Sequence, residues 1–380
     1  MNRFLPNVPD HSKESPRLHF IDLVRAYAIL MMVQGHMVDA TLAMEFRDAG
    51  NFFYNLWNHM RGITAPVFFF ASGTIFTYLL MRKNIKFTEN ERVSKGLKRF
   101  VILIILGYLL RFNFNILSNL TDLDFMQFKY SFAADVLHCI GLSIFTIITL
   151  YIIHQLTRIP IWLFLSLSAL SLFYFYPSTL DIDWLAIFPL PIATYFTVDY
   201  GANFTVIPWM GFSLWGALLG YILSKNVNIA FNYIFTFVIF ALGLILHFGS
   251  GGVLEFLFNL TGDMNLKYLL YNNFLFYHLG NTLIICGVIS FIANTVKIPK
   301  LLAKTGQKTM VIYVVHIFII YGTALNNGLM HYYKYSFVPW QSILAAVMLI
   351  IFFLILVRYI DGWKQSSLDL MQKYKNKLYN

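Results

Sequence analysis

The stretch 18-LHFIDLVRAYAILMMVQGHMVDATL-42 decides the fold class. Read as one α-helix it is long enough to cross a bilayer, because about 20 apolar residues rising 1.5 Å each span the hydrocarbon. Yet Asp22, Arg25, His36 and Asp39 interrupt it. A charge at mid-membrane costs about 3 kcal/mol or more, so an ionisable group kept there marks a functional site by default. The spacing is ordered as well. The ten residues between Arg25 and His36 place the two on one helix face about 16 Å apart. Asp22 and Asp39 each sit three residues from one of them, within reach on a helix surface. The face therefore predicts an ionic couple, Asp22 with Arg25, at one end and a carboxylate-histidine couple, Asp39 with His36, at the other. The plainer alternative has Asp22 and Arg25 snorkelling to the membrane edge and His36 packed as an ordinary core residue.

Composition carries the same message outward. Hydrophobic residues make up 58% of the chain and charged residues 12%, against about 25% charged in soluble domains, and mean hydropathy is +0.64. These values predict an all-α, polytopic integral membrane protein. About ten spans are expected, near 18–42, 62–82, 97–117, 133–155, 159–176, 204–223, 229–248, 273–296, 308–327 and 338–360. Pro189 and Pro191 oppose a regular helix in 184–198, which reads as a re-entrant segment. The chain divides into a flexible cytoplasmic tail (1–16), one membrane domain (17–362) and a cytoplasmic C-terminal tail (363–380).

Basic residues set the orientation. They concentrate in the N-terminal tail (Arg3, Lys13, Arg17), in the segment from Arg82 to Arg99, at Arg158, Lys225 and Lys297–Lys308, and after Arg358. The alternate loops hold Arg47, Arg61, Arg111, Lys129, Lys267 and Lys334. That asymmetry predicts both termini inside and an even number of spans. The formal net charge of +10 then reflects topology, and nucleic acid is not an expected partner. No small-residue cleavage site follows the first span, so it is expected to act as an uncleaved anchor. Cys139 and Cys286 fall in apolar segments without the spacing of a metal site or an evident disulfide partner, and no bound metal is expected.

Orientation sorts the buried polar residues by depth. Near the cytoplasm lie Asp22, Arg25, the basic segment up to Arg99, Lys304 and Lys308, with Tyr313 and His316 reaching toward the middle. Near the outer face lie His36, Asp39, His59, Arg61, Arg111, Asn113, Asp135, His138, His278 and Asn281. The outer group has the parts of an acid/base site: histidines that titrate near neutrality, Asp39 or Asp135 to orient a ring, and arginines to meet an anion. The inner group suits a phosphorylated carrier or, equally, anionic lipid headgroups.

Arg25 and His36 separated by ten residues, the phrase Arg17-Leu-His-Phe-Ile-Asp22-Leu-Val-Arg25-Ala-Tyr-Ala and the stretch Pro66-Val-Phe-Phe-Phe-Ala-Ser-Gly73 resemble the transmembrane acyltransferase superfamily. Asp135-Val-Leu-His138-Cys-Ile-Gly141, Ile207-Pro208-Trp209-Met-Gly211 with Trp215-Gly216-Ala, and Leu302-Ala-Lys-Thr-Gly306 with Tyr313-Val-Val-His316 resemble its heparan-α-glucosaminide N-acetyltransferase-like branch. The Arg-x10-His spacing itself is similar to that of bacterial polysaccharide O-acetyltransferases. The resemblance implies transfer of an acyl group, acetyl above all, from cytoplasmic acetyl-CoA or another acyl-CoA to an extracytoplasmic saccharide. It implies a bacterial cytoplasmic membrane as the location, with lipids as surroundings and an oligomer as an open possibility. Asp22, Arg25, Arg99, Tyr313 and His316 would then hold the donor, and His36, Asp39, His59 and Asp135 would serve catalysis, with His36 as general base or transient acyl carrier. Two departures matter. Ala26 replaces the usual glycine after the arginine, and the glucosaminide branch has asparagine where His36 stands, with its catalytic histidine in the region that here holds Trp57-Asn58-His59. His36 and His59 therefore compete for the role. A proton-coupled solute transporter is the other function that titratable groups along a helix face would suit.

Overall fold

The computed structural model describes residues 18–83, 85–112, 131–323 and 326–378. The N-terminal tail, Asn113, Lys129 and the side chains beyond 362 lie outside the described residues. Twelve of the described helices are used below. They are α1 (His19–Thr41), α2 (Phe52–Met81), α3 (Glu91–Arg111), α4 (Val136–Thr157), α5 (Ile161–Tyr174) and α6 (Val206–Lys225). They continue with α7 (Tyr233–Thr261), α8 (Met264–Tyr271), α9 (Phe274–Thr295), α10 (Lys300–Gln307), α11 (Thr309–Ile320) and α12 (Pro339–Leu378).

Local chemistry starts and stops these helices where the sequence changes character. Asn51 accepts from the amides of Phe53 and Tyr54 at the head of α2, Asn90 caps α3 and Asn232 caps α7. Each satisfies amides that the first helical turn leaves open. Gly262, at φ 67°, closes α7 in the left-handed region that glycine enters without steric cost.

Each of the ten expected spans corresponds to a helix, but not all are alike. Seven helices are long and apolar enough to cross a membrane: α1, α2, α4, α6, α7, α9 and the Pro339–Gly362 part of α12. Helix α3 is of comparable length, and Lys95, Lys98 and Arg99 charge its first half. Helices α5 and α11 are shorter, with 14 and 12 residues. At about 1.5 Å per residue, α11 covers roughly half of the hydrocarbon. The span expected over 308–327 is thus a half-helix. Tyr321 caps it on the Ile317 carbonyl, Gly322 turns the chain at φ 77°, and Gly322–Thr323 pairs antiparallel with Asn326–Asn327. The stretch expected to re-enter holds only two four-residue turns of helix, Trp184–Ile187 and Leu190–Ala193, with Pro189 at the N-cap and Pro191 in the first turn of the second.

Packing places α1 at the centre, against α2, α9, α10, α11 and α12. Small residues let backbones meet where bilayer lipid supplies no hydrophobic drive between helices. A Cβ at Gly73 or Gly216 would collide with the carbonyl oxygen of Ser213 or Phe70, so α2 and α6 lie in backbone contact. Gly306 does the same for α10 and α1, where a Cβ would strike the Asp22 carbonyl oxygen. Helices α7 and α12 turn Phe237, Ile245 and Phe248, and Ile343, Val347 and Ile351, outward, as lipid-facing sides require.

Candidate functional site

The polar face of α1 is met along its length by α10 and α11. At its N-terminal end Asp22 and Arg25 are buried, 4% and 9% exposed. Gln307, the last residue of α10, donates from Nε2 to Asp22 Oδ2 at 3.1 Å. Arg25 Nη2 donates to Thr309 Oγ1, the first residue of α11, at 2.9 Å. Both bonds depend on Gly306, which lets α10 lie directly on the Asp22 backbone. Arg25 Nε has no partner among the described residues, leaving one charge-assisted donor available for an anion. Arg99 of α3 lies within electrostatic reach of Arg25. Lys304 and Lys308, also expected in this group, are engaged instead by Asp361 of α12.

Toward the C-terminal end of α1 the half-buried His36 meets two residues of the 309–321 segment. Its Nδ1 shares a hydrogen bond with Tyr321 Oη at 2.7 Å. Its face stacks on His316, with ring centroids 5.4 Å apart and planes 29° from parallel. His316 is fully buried. It donates from Nδ1 to the Ile312 carbonyl at 3.2 Å, and a neutral ring that donates there carries its lone pair on Nε2. That Nε2 has no partner among the described residues.

Asp135 comes from a third direction. It is the N-cap of α4: Val136 N donates to its Oδ1 at 2.6 Å, and its own amide donates to His138 Nδ1 at 3.0 Å, which completes a reciprocal cap. Its Oδ2 accepts from Tyr313 Oη at 2.8 Å, and Arg111 Nη2 stands 4.0 Å from Oδ1. Tyr313 also meets the edge of His316, centroid to centroid 5.2 Å. Two expectations change here. Tyr313 and His316, expected with the inner group, lie with Asp135 and His36, because α11 starts beside Arg25 at Thr309 and carries them about 6 and 10 Å along its axis. The carboxylate-histidine couple of Asp39 and His36 does not form either. Asp39 binds Arg61 at 3.0 Å and Arg47 at 3.3 Å, because full guanidinium charges compete for a carboxylate better than a neutral imidazole does.

His59 belongs to another group. On α2 it lies two residues, about 200° of helical turn, from Arg61, and its ring meets the edge of Tyr277 on α9 at 5.8 Å. There Tyr277 packs on His247 at 4.3 Å, and His247 Nδ1 bonds Asn281 Oδ1 at 2.7 Å. The structure therefore gathers Asp22, Arg25 and Arg99 at one end and His36, Asp39, Asp135, Tyr313 and His316 toward the other, with His59 turned to α9. Gln307, Thr309 and Tyr321 escaped the sequence reading. A polar residue at each edge of a short apolar run, and a tyrosine directly before Gly322, were the available signals.

The family profile described as Heparan-alpha-glucosaminide N-acetyltransferase, catalytic, matches residues 17–249, more than half of the 380-residue chain. Lys300–Tyr321 lies beyond the matched stretch. Neither the curated proteins nor the solved structures give a significant match. On the strength of the profile, whose match takes in α1 to α6, this integral membrane protein belongs to the heparan-α-glucosaminide N-acetyltransferase catalytic family, a family of membrane acetyltransferases.

Proposed function

We propose that the protein transfers an acetyl group from cytoplasmic acetyl-CoA to a hydroxyl or amine of an extracytoplasmic saccharide, in a bacterial cytoplasmic membrane and with both termini inside. One observation carries the proposal: a buried cation with an unpartnered donor, Arg25, and a half-buried imidazole, His36, share one face of a membrane helix. Their separation of about 16 Å is comparable to the length of the pantetheine arm of CoA.

In this proposal Arg25 and Arg99 meet the donor's phosphates, and Asp22 and Gln307 fix the helix crossing that presents Arg25. His36 is the general base at the acyl carbon. Arg61, held by Asp39, faces the developing negative charge, and Asp135 anchors Tyr313 and through it the wall behind His36. His59 is the alternative base, served by the α9 cluster. Residues 17–362 form the catalytic unit.

The test is transfer of radiolabel from acetyl-CoA to glucosamine and other amino sugars in sealed vesicles, with donor and acceptor on opposite sides. His36→Ala is expected to abolish transfer while purifying as folded protein. Full transfer by His36→Ala together with loss in His59→Ala would move the chemistry to the α9 side. Solute transport in proteoliposomes free of acetyl-CoA, with no transfer under any condition, would refute the proposal as a whole.

A further inference from the structure

We infer that Tyr321, which lies outside the family match, is the positioning residue of His36. The inference rests on the proposal above that His36 is the reacting base. An imidazole at the end of a side chain has two torsions to fix, and the 309–321 segment fixes both. His316 covers one face of the ring, and Tyr321 holds its Nδ1 edge at 2.7 Å, with its own ring at 81° to that plane. The two residues are five apart on a single short segment, so they move as one body.

No other described group takes that edge. Asp39 is engaged by Arg61 and Arg47, and Asp135 by Tyr313, Arg111 and its own helix cap. The backbone is built to deliver the hydroxyl: α11 stops at Ile320, Tyr321 closes its last turn on Ile317, and Gly322 at φ 77° leads the chain away.

A hydroxyl does something here that a carboxylate would not. The proposed role uses the tautomer in which Nδ1–H donates to Oη, which leaves Nε2 as the free lone pair, pointing away from Tyr321. The acceptor's hydroxyl or amine gives its proton to Nε2 as its oxygen or nitrogen bonds to the acyl carbon. The C–S bond of the thioester then breaks, and the departing sulfur takes the same proton from Nε2, which returns the ring to its starting tautomer. A neutral partner at Nδ1 orients the ring throughout without holding it as a salt-bridged imidazolium, so the proton is released readily to sulfur.

Tyr321→Phe in the full chain, reconstituted in nanodiscs, tests this. With acetyl-CoA and glucosamine, kcat is expected to fall about 10-fold to 100-fold, as for a misoriented catalytic group. KM for acetyl-CoA should stay within about twofold, because Arg25 and Arg99 are untouched, and Tyr332→Phe, exposed in the short helix Leu329–Tyr333, should match wild type. A second readout needs no acceptor: in protein labelled with 15N at histidine, Tyr321→Phe should move the ring-nitrogen signals that His36→Ala removes. Unmoved signals, or a kcat at the wild-type level, overturn the inference. So does a loss expressed only in KM for acetyl-CoA. Loss in His36→Ala with an unaffected Tyr321→Phe sinks the positioning role alone, whereas full activity in His36→Ala sinks the assignment of the base.

Discussion

Replacing Gly306 with alanine should disturb the site more than any comparable one-carbon change on the surface. The added Cβ has no flexible side chain to push aside. It meets the carbonyl oxygen, carbon and Cα of Asp22, all in the backbone of α1. One helix must retreat, and overpacking of this kind costs about 1–3 kcal/mol. Retreat also stretches the Gln307–Asp22 and Arg25–Thr309 bonds, each made to a charged group and worth about 1.5–3 kcal/mol. If packing alone yields, the loss is about 2 kcal/mol; if both bonds go, it is roughly twice that or more. The molecule supplies its own probe, because Cys139 and Cys286 are free and buried and become reactive on unfolding. Thermal unfolding in detergent, followed with a thiol-reactive dye, should show Gly306→Ala several degrees below wild type. Gly251 of α7 is the matched control. A Cβ there meets nothing within 4 Å, and alanine is favoured over glycine in a helix by roughly 1 kcal/mol, so Gly251→Ala should unfold at or above the wild-type temperature. Equal unfolding temperatures for Gly306→Ala and wild type would refute the direct seating of α10 on α1, and with it the origin proposed for the Asp22–Arg25 end of the site.

Arg25→Gln should weaken acetyl-CoA binding about 10-fold to 100-fold by isothermal titration, the equivalent of one charge-assisted contact; unchanged affinity would remove Arg25 from the donor site. Beyond the end of α7, Asp263 accepts from Tyr174 Oη at 2.6 Å, and that bond, with the amides of Leu266 and Asn265, holds the Asp263 carboxyl below its ordinary range. A depressed carboxyl stabilises the fold above its unfolded-state pKa and loses that contribution as pH falls through the folded value. Tyr174→Phe should therefore lower the unfolding temperature at neutral pH, followed by tryptophan fluorescence, and the gap should close on acidification; a gap that widens in acid would contradict the assignment.

Fold class was legible because the bilayer imposes simple rules. Runs such as 136–157 and 339–362 have no reason to be so apolar unless lipid or other helices surround them. Helix ends were less legible. The span expected to run through 327 stops at Ile320, where the apolar run itself gives way to Tyr321-Gly322-Thr323. The chain then turns at Gly322 and pairs with Asn326–Asn327; glycine's own freedom allows the turn, whereas the pairing is set by contacts between residues.

The site shows the same division more sharply. Periodicity correctly puts Arg25 and His36 on one face of α1, because a helix fixes the angle between its own residues. It does not say what faces them. Local spacing favoured Asp39 as the partner of His36, only three residues away, but proximity along a helix is a weak constraint when two guanidinium groups from Arg47 and Arg61 reach the same carboxylate. The partners of the strip come from nearly 300 residues downstream, Gln307 on Asp22, Thr309 on Arg25 and Tyr321 on His36. A half-helix is well suited to this. From Thr309 to Tyr321 the chain rises about 18 Å, close to the roughly 16 Å between Arg25 and His36, so the two edges of α11 meet the two ends of the strip. The shortness of α11, which looks like a defect in a membrane helix, is what lets one segment line both ends of the α1 face.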